Sequence, residues 1–140
     1  MFPAETEHLD DALPIGRHIL FADDDPVSRL LTTRILQSLG HTVVAVADGS
    51  EAVATAEREA FDLMLLDIRM PILGGLEAAA LLRQRGHTCP IFGLTGSVRC
   101  VSEVDFLASG MQGCFPKPLR VETFTTLLAT HLPTPVQASN

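Results

Sequence analysis

The stretch Phe61-Asp62-Leu63-Met64-Leu65-Leu66-Asp67-Ile68-Arg69-Met70-Pro71 decides the fold of this chain. Leu63 to Leu66 are apolar without interruption, the pattern of a strand buried on both faces, and such strands belong to parallel sheets covered by helices. The run ends on a carboxylate, Asp67, and Met70-Pro71 then breaks the chain. Ending a buried strand on a charge is costly unless that charge meets solvent, a metal or a partner. A second apolar run, His18-Ile19-Leu20-Phe21-Ala22, ends in the same way on Asp23-Asp24-Asp25. Two strand ends presenting carboxylates on one edge of a parallel sheet make an acidic pocket, and such a pocket calls for a cation.

Outward from these runs, strand and helix signals alternate. Asp25-Pro26 reads as an N-cap with proline at the first helical position, and Gly40 stops the helix that follows. Its expected inward face carries Val27, Leu30, Leu31, Ile35 and Leu39. Thr42 to Val46 is a β-branched second strand, and Asp48-Gly49-Ser50-Glu51 opens the next helix with a pattern close to a capping box. Gly74-Gly75 leads from the third strand into an alanine- and leucine-rich helix ending near Arg85-Gly86. Pro90 to Leu94 reads as a fourth strand, about Arg99 to Ser109 as a weaker helix, and Gly113 to Phe115 as a short fifth strand. Arg120 to Leu132 closes the series as an amphipathic helix with Val121, Phe124 and Leu128 inward. This βα alternation predicts an α/β fold: one doubly wound, five-stranded parallel sheet with helices on both faces. Residues 1–17 read as an N-terminal tail, 18–132 as the domain and 133–140 as a C-terminal tail.

Composition narrows the function. At 140 residues the chain has the length of one domain, and 46% hydrophobic residues are enough to fill its core. No apolar run has the length of a membrane span, so no membrane association is expected. A formal charge of −7 with no Lys/Arg cluster argues against nucleic acid as a direct partner. Cys89, Cys100 and Cys114 are odd in number and widely spaced, which fits neither a disulfide framework nor a zinc site. They read as reduced thiols in a cytoplasmic protein.

In open parallel sheets ligands bind beyond the carboxyl ends of the strands. The unusual polar residues of this chain fall at those ends: Asp23 and Asp24 after the first strand, Asp67 after the third, Thr95 after the fourth and Lys117 after the fifth. With this constellation the chain resembles the receiver domains of two-component response regulators. The marks are Asp23-Asp24-Asp25-Pro26, Leu66-Asp67-Ile68-Arg69-Met70-Pro71 with Gly75, Leu94-Thr95-Gly96 and Pro116-Lys117-Pro118, in this order over about Arg17 to Leu132. The resemblance implies the flavodoxin-like strand order 2-1-3-4-5 and a phosphorelay function without independent enzymatic turnover. Asp67 would be the phosphoacceptor, taking a phosphoryl group from a histidine kinase or histidine phosphotransfer protein and later losing it by self-dephosphorylation. Mg²⁺ would be held by Asp24 and Asp67, by Asp23 through water, and by the backbone carbonyl of Arg69. Lys117 would contact the phosphoryl oxygens, Thr95 would turn its hydroxyl toward them, and the Lys117-Pro118 bond would be cis.

Physical chemistry makes the metal reasonable. Three carboxylates about 5 Å apart at an effective dielectric near 20 repel by roughly 3 kcal/mol per pair, and one divalent cation with one lysine balances them. The resemblance also has gaps. Cys114 stands three positions before Lys117, where the family usually carries an aromatic residue, and Phe115 is one place too late to face the same side of the sheet. Gly96 stands where alanine is commoner and should open the approach to Asp67, while Arg69 and Ser97 occupy positions that tune dephosphorylation in the family. With few residues after the final helix, the chain reads as a stand-alone receiver, whose output would pass through a downstream protein or a homodimer near that helix. Two other readings are a pseudo-receiver, an interaction module without phosphorylation, and a phosphatase of the haloacid-dehalogenase type. For the latter, Asp23-Asp24-Asp25-Pro26-Val27 formally fits the motif and Asp23 would be the nucleophile.

Overall fold

The computed structural model describes residues 16–96 and 108–132. The described elements are β1 (His18–Ala22), α1 (Pro26–Ser38), β2 (Thr42–Val46), α2 (Gly49–Arg58), β3 (Leu63–Asp67), α3 (Gly75–Gln84), β4 (Ile91–Thr95), β5 (Gly113–Pro116) and α4 (Val121–His131). The helix expected from about Arg99, with Ser97 and Cys100 beside it, and most of both expected tails lie outside the described residues. All strand pairs are parallel and their order is β2-β1-β3-β4-β5, the order that the family resemblance implies.

The apolar strand runs serve two cores at once, because successive side chains leave a strand on opposite faces. Leu20, Ala22, Met64 and Leu66 pack with Ala52, Ala56, Ala78 and Leu82 of α2 and α3. Ile19, Phe21, Leu63, Leu65, Phe92 and Leu94 pack on the other face with Leu36 of α1 and Phe124, Leu127 and Leu128 of α4. β3 sits between β1 and β4 and is buried along its whole length, which is why its sequence shows no alternation.

The helix ends follow the local chemistry. Asp25 caps α1 by accepting from the Val27 amide, with Pro26 in the first turn. Asp48 accepts from the Glu51 amide, and Glu51 reaches back to the Ala47 amide, a reciprocal cap shifted by one residue.

The expected inward face of α1 is corrected by the structure. Val27, Leu30 and Leu31 are 65%, 52% and 58% exposed, whereas Thr32 and Leu36 are buried and Ile35 and Leu39 half-buried. The cause lies in the first turn. The Ser28 hydroxyl donates to the Asp23 carboxylate and the Arg29 guanidinium to the Asp23 carbonyl. Those bonds set the rotation of the helix, and residues 32, 35, 36 and 39 share the arc of Ser28 at 3.6 residues per turn. Val121, expected inward at the start of α4, is 42% exposed, and the buried face is Phe124, Leu127 and Leu128.

His41 joins the two ends of the domain. Its Nδ1 accepts from the Arg17 amide at 3.0 Å, and its ring meets Phe124 edge-on. The Arg17 guanidinium in turn donates to the Leu132 carbonyl. Protonation of His41 would turn that acceptor into a donor, and burial, aided by the Arg17 charge, holds its pKa below the ordinary 6.5. The stabilisation this gives is complete above the unfolded-state value and is lost as pH falls from there toward the lower folded-state value. The melting temperature is expected to fall as pH is lowered from about 7.5 to about 5.5. His41→Gln should flatten that slope in a pH series of thermal melts, and an unchanged slope would count against this account.

Ile72 carries a φ of 70°, the only positive value at a non-glycine among the described residues, and is 82% exposed. The Leu73 amide donates to the Pro71 carbonyl across it, closing a three-residue turn. A β-branched side chain is strained there. Ile72→Gly is expected to raise unfolding free energy by about 1 kcal/mol in denaturant titration, despite the added flexibility of the unfolded chain.

Candidate functional site

The predicted polar residues converge at the carboxyl edge of the sheet. Asp67 is the last residue of β3 and is 5% exposed. The ladder continues past it, since the Ile68 amide donates to the Leu94 carbonyl at 2.8 Å. Gly75 lets α3 begin against this strand end: its amide donates to the Ile68 carbonyl, and a Cβ there would lie 2.3 Å from the Asp67 carbonyl oxygen. Of the Asp67 carboxylate, Oδ1 accepts from the Arg69 amide at 3.2 Å and Oδ2 from Lys117 Nζ at 2.9 Å.

Asp23 follows β1 and is fully buried. Its amide donates to the Val46 carbonyl, extending the pairing with β2 by one bond. Oδ1 accepts from the Asp25 amide at 3.0 Å, and Oδ2 from the Ser28 hydroxyl at 2.6 Å and Lys117 Nζ at 3.1 Å. Asp24, the next residue, is exposed. Lys117 therefore forks between two buried carboxylates, while its amide donates to the Thr95 carbonyl and its bond to Pro118 is cis.

A cavity of about 280 Å³ opens over this edge, lined by Asp67, Arg69, Thr95, Gly96 and Lys117. A Cβ on Gly96 would meet nothing within 4 Å, so glycine leaves that wall open. Cys114 packs toward the core under α2 and α3, and Phe115 toward the opposite core, 5.4 Å from the Phe92 ring. Phe115 is thus turned away from the face that Cys114 occupies, as the one-residue offset in sequence requires. Ser28 and Arg29 are the site neighbours that sequence reasoning missed. A hydroxyl in the first turn of a helix whose cap is already supplied by Asp25 was the available signal.

The two buried aspartates are driven in opposite directions. Burial pushes Asp23 upward, but the Ser28 hydroxyl, the Asp25 amide and Lys117 outweigh it and hold the carboxyl below its ordinary value. Burial also pushes Asp67 upward, and there Lys117 and the Arg69 amide do not offset it, so the carboxyl stays above its ordinary value with the Asp23 charge adding to the rise. Burial works against the charge on Lys117, but Asp67 and Asp23 together raise its pKa.

One carboxylate oxygen from each of Asp23, Asp24 and Asp67 lies within 4.8 Å of the others. Three carboxylates against one ammonium leave an excess of two negative charges. An all-oxygen donor set of that charge fits a hard divalent cation such as Mg²⁺ and does not fit a thiophilic metal.

The family model for the response regulator receiver domain matches residues 19–129. The chain is 34% identical over 117 residues to the transcription factor SKN7 of Saccharomyces cerevisiae, covering 84% of this chain and 19% of that protein. It is 37% identical over 120 residues to the sensor protein EvgS of Escherichia coli K12, covering 86% of this chain and 10% of that protein. The chain thus spans a fifth or less of the length of these curated relatives. Among solved structures it resembles the receiver domain of sensor histidine kinase PA1611 from Pseudomonas aeruginosa, which has a magnesium ion in its active-site cleft. The TM-score is 0.77 at 32% identity, covering 86% of this chain and all of that one. The parallel sheet, the acidic edge with its lysine and the match across 19–129 agree, and this chain belongs to the response regulator receiver domain family of two-component systems.

Proposed function

We propose that this chain is a phospho-accepting receiver in which Asp67 takes a phosphoryl group from a phosphohistidine on a kinase or phosphotransfer protein. The observation that carries the reading is the Lys117 fork onto Asp67 and Asp23 at the mouth of an open cavity. A carboxylate oxygen of Asp67 forms a bond to phosphorus, the P–N bond to the donor imidazole breaks, and the imidazole leaves with the electron pair. An acyl phosphate remains on Asp67, and attack by water at phosphorus later breaks the P–O bond to the carboxyl, releasing inorganic phosphate and restoring the carboxylate.

The barrier to this exchange is repulsion between an anionic nucleophile and an anionic phosphoryl group, so catalysis lies in positioning and charge neutralisation. Asp23, Asp24, Asp67 and the Arg69 carbonyl would hold Mg²⁺, which supplies charge neutralisation at the phosphoryl oxygens when bound. Lys117 moves from the carboxylates to the new phosphoryl oxygens, because its ammonium is a compact charge on a flexible stem. Thr95, in the cavity wall, supplies a hydroxyl to the same group. Arg69, also in the wall, keeps Asp67 oriented through its amide.

Phosphoryl arrival biases a pre-existing equilibrium of the surface around β5 and α4, where a downstream protein or a second copy of this chain binds. With Cys114 in place of the family's aromatic residue, that shift runs through Thr95 and the loop backbone. A cytoplasmic setting fits the free thiol of Cys89. Among the described residues no helix is long and apolar enough to cross a membrane.

Incubation with acetyl phosphate should add one phosphoryl group by intact mass, only with Mg²⁺ present and not in Asp67→Asn. Trapping on Asp23 instead would favour a phosphatase, and no gain even with a non-hydrolysable phosphoryl mimic would favour a pure interaction module. Millimolar Mg²⁺ should raise the melting temperature, because the cation binds the folded pocket and not the coil. Lys117→Ala should bind Mg²⁺ more tightly, since the competing ammonium is gone, yet accept phosphate more slowly by on the order of a hundredfold. Equal losses in both measurements would contradict the assignment of Lys117 to the transferring group.

A further inference from the structure

Asp23 Oδ2 has two side-chain donors of different character. Lys117 Nζ, at 3.1 Å, is shared with Asp67 and leaves when its charge is needed at the phosphoryl group. The Ser28 hydroxyl, at 2.6 Å, is neutral and, among the described residues, is not shared with Asp67 as Lys117 is. It is also fixed in place. Ser28 sits in the first turn of α1, behind the Asp25 cap and Pro26, and the next residue, Arg29, ties the same turn to the Asp23 carbonyl at 2.7 Å.

We infer that Ser28 is a positioning residue for the divalent cation: its hydroxyl holds the Asp23 carboxylate in place when Lys117 lets go. The inference rests on the reading of this edge as a Mg²⁺ site. Asp23 is fully buried, and Ser28 is the side-chain donor that stays on this oxygen when Lys117 leaves. With Ser28 present, Oδ2 keeps one donor throughout and Asp23 keeps its orientation toward the cation. Without it, Lys117 is the only side-chain donor to that oxygen among the described residues, and cation entry must work against that ion pair. Donors that orient a ligand from behind are worth roughly ten- to a hundredfold in metal affinity.

The test is calorimetric titration of Mg²⁺ into the full chain and into Ser28→Ala, Ser28→Cys and Ser28→Thr, each with a thermal melt. Ser28→Ala is expected to weaken Mg²⁺ binding by on the order of tenfold. Ser28→Cys, with a weaker donor of similar size, should fall between it and the parent, and Ser28→Thr, which keeps the hydroxyl, should restore affinity. If the alanine variant melts lower but binds Mg²⁺ as the parent does, Ser28 is merely a helix-packing residue and the inference is overturned. If the parent itself binds no Mg²⁺, the reading of the site fails as well, so the two failures are distinguishable.

Discussion

The ion pair of Lys117 with Asp23 and Asp67 is the constraint around which this structure is arranged. Two carboxylates are buried side by side at one sheet edge, and each would be costly alone. Lys117 reaches both from the loop after β5, so one residue compensates the ends of β1 and β3 together. Three parallel elements distant in sequence are thereby brought into electrostatic register. The fork also leaves the pocket short of positive charge, a deficit that the proposed divalent cation would fill.

Although they share that lysine, Asp23 and Asp67 are not equivalent. Asp23 has a backbone amide, a hydroxyl and an ammonium on its oxygens, and these donors hold it ionised. Asp67 has fewer donors and is kept more basic by burial. In the proposed transfer a more basic carboxylate would be the better nucleophile, and one well supplied with protein donors the better permanent charge. The environments divide these roles between two chemically identical side chains, as pairs of titratable groups do wherever their surroundings drive them apart.

Much of the architecture was legible because its signals are local. The unbroken apolar run of β3, the cap at Asp25 and the βα alternation each follow from neighbouring residues, and the acidic pocket follows from where those runs stop. The rotation of α1 was not legible. Val27, Leu30 and Leu31 form a convincing apolar stripe, and periodicity alone points them inward. The decision rests on two bonds from Ser28 and Arg29 to Asp23, polar contacts that a hydrophobic pattern does not register. Val121 misled for a similar reason, since its place in the first turn of α4 leaves it at the rim of the buried face.

The double service of the central strands has an evolutionary consequence. Along β3, neighbouring residues feed separate cores, so adding or deleting one residue would exchange the contents of both. The same slip would carry Asp67 away from Lys117. Length changes within β1 and β3 are therefore closed to drift, even where every substitution is apolar for apolar. The turn at the opposite edge of the sheet at Arg85-Gly86 faces no such double constraint. Lineages of this domain should record their insertions there, and diverge in length at one end of the molecule while keeping step at the other.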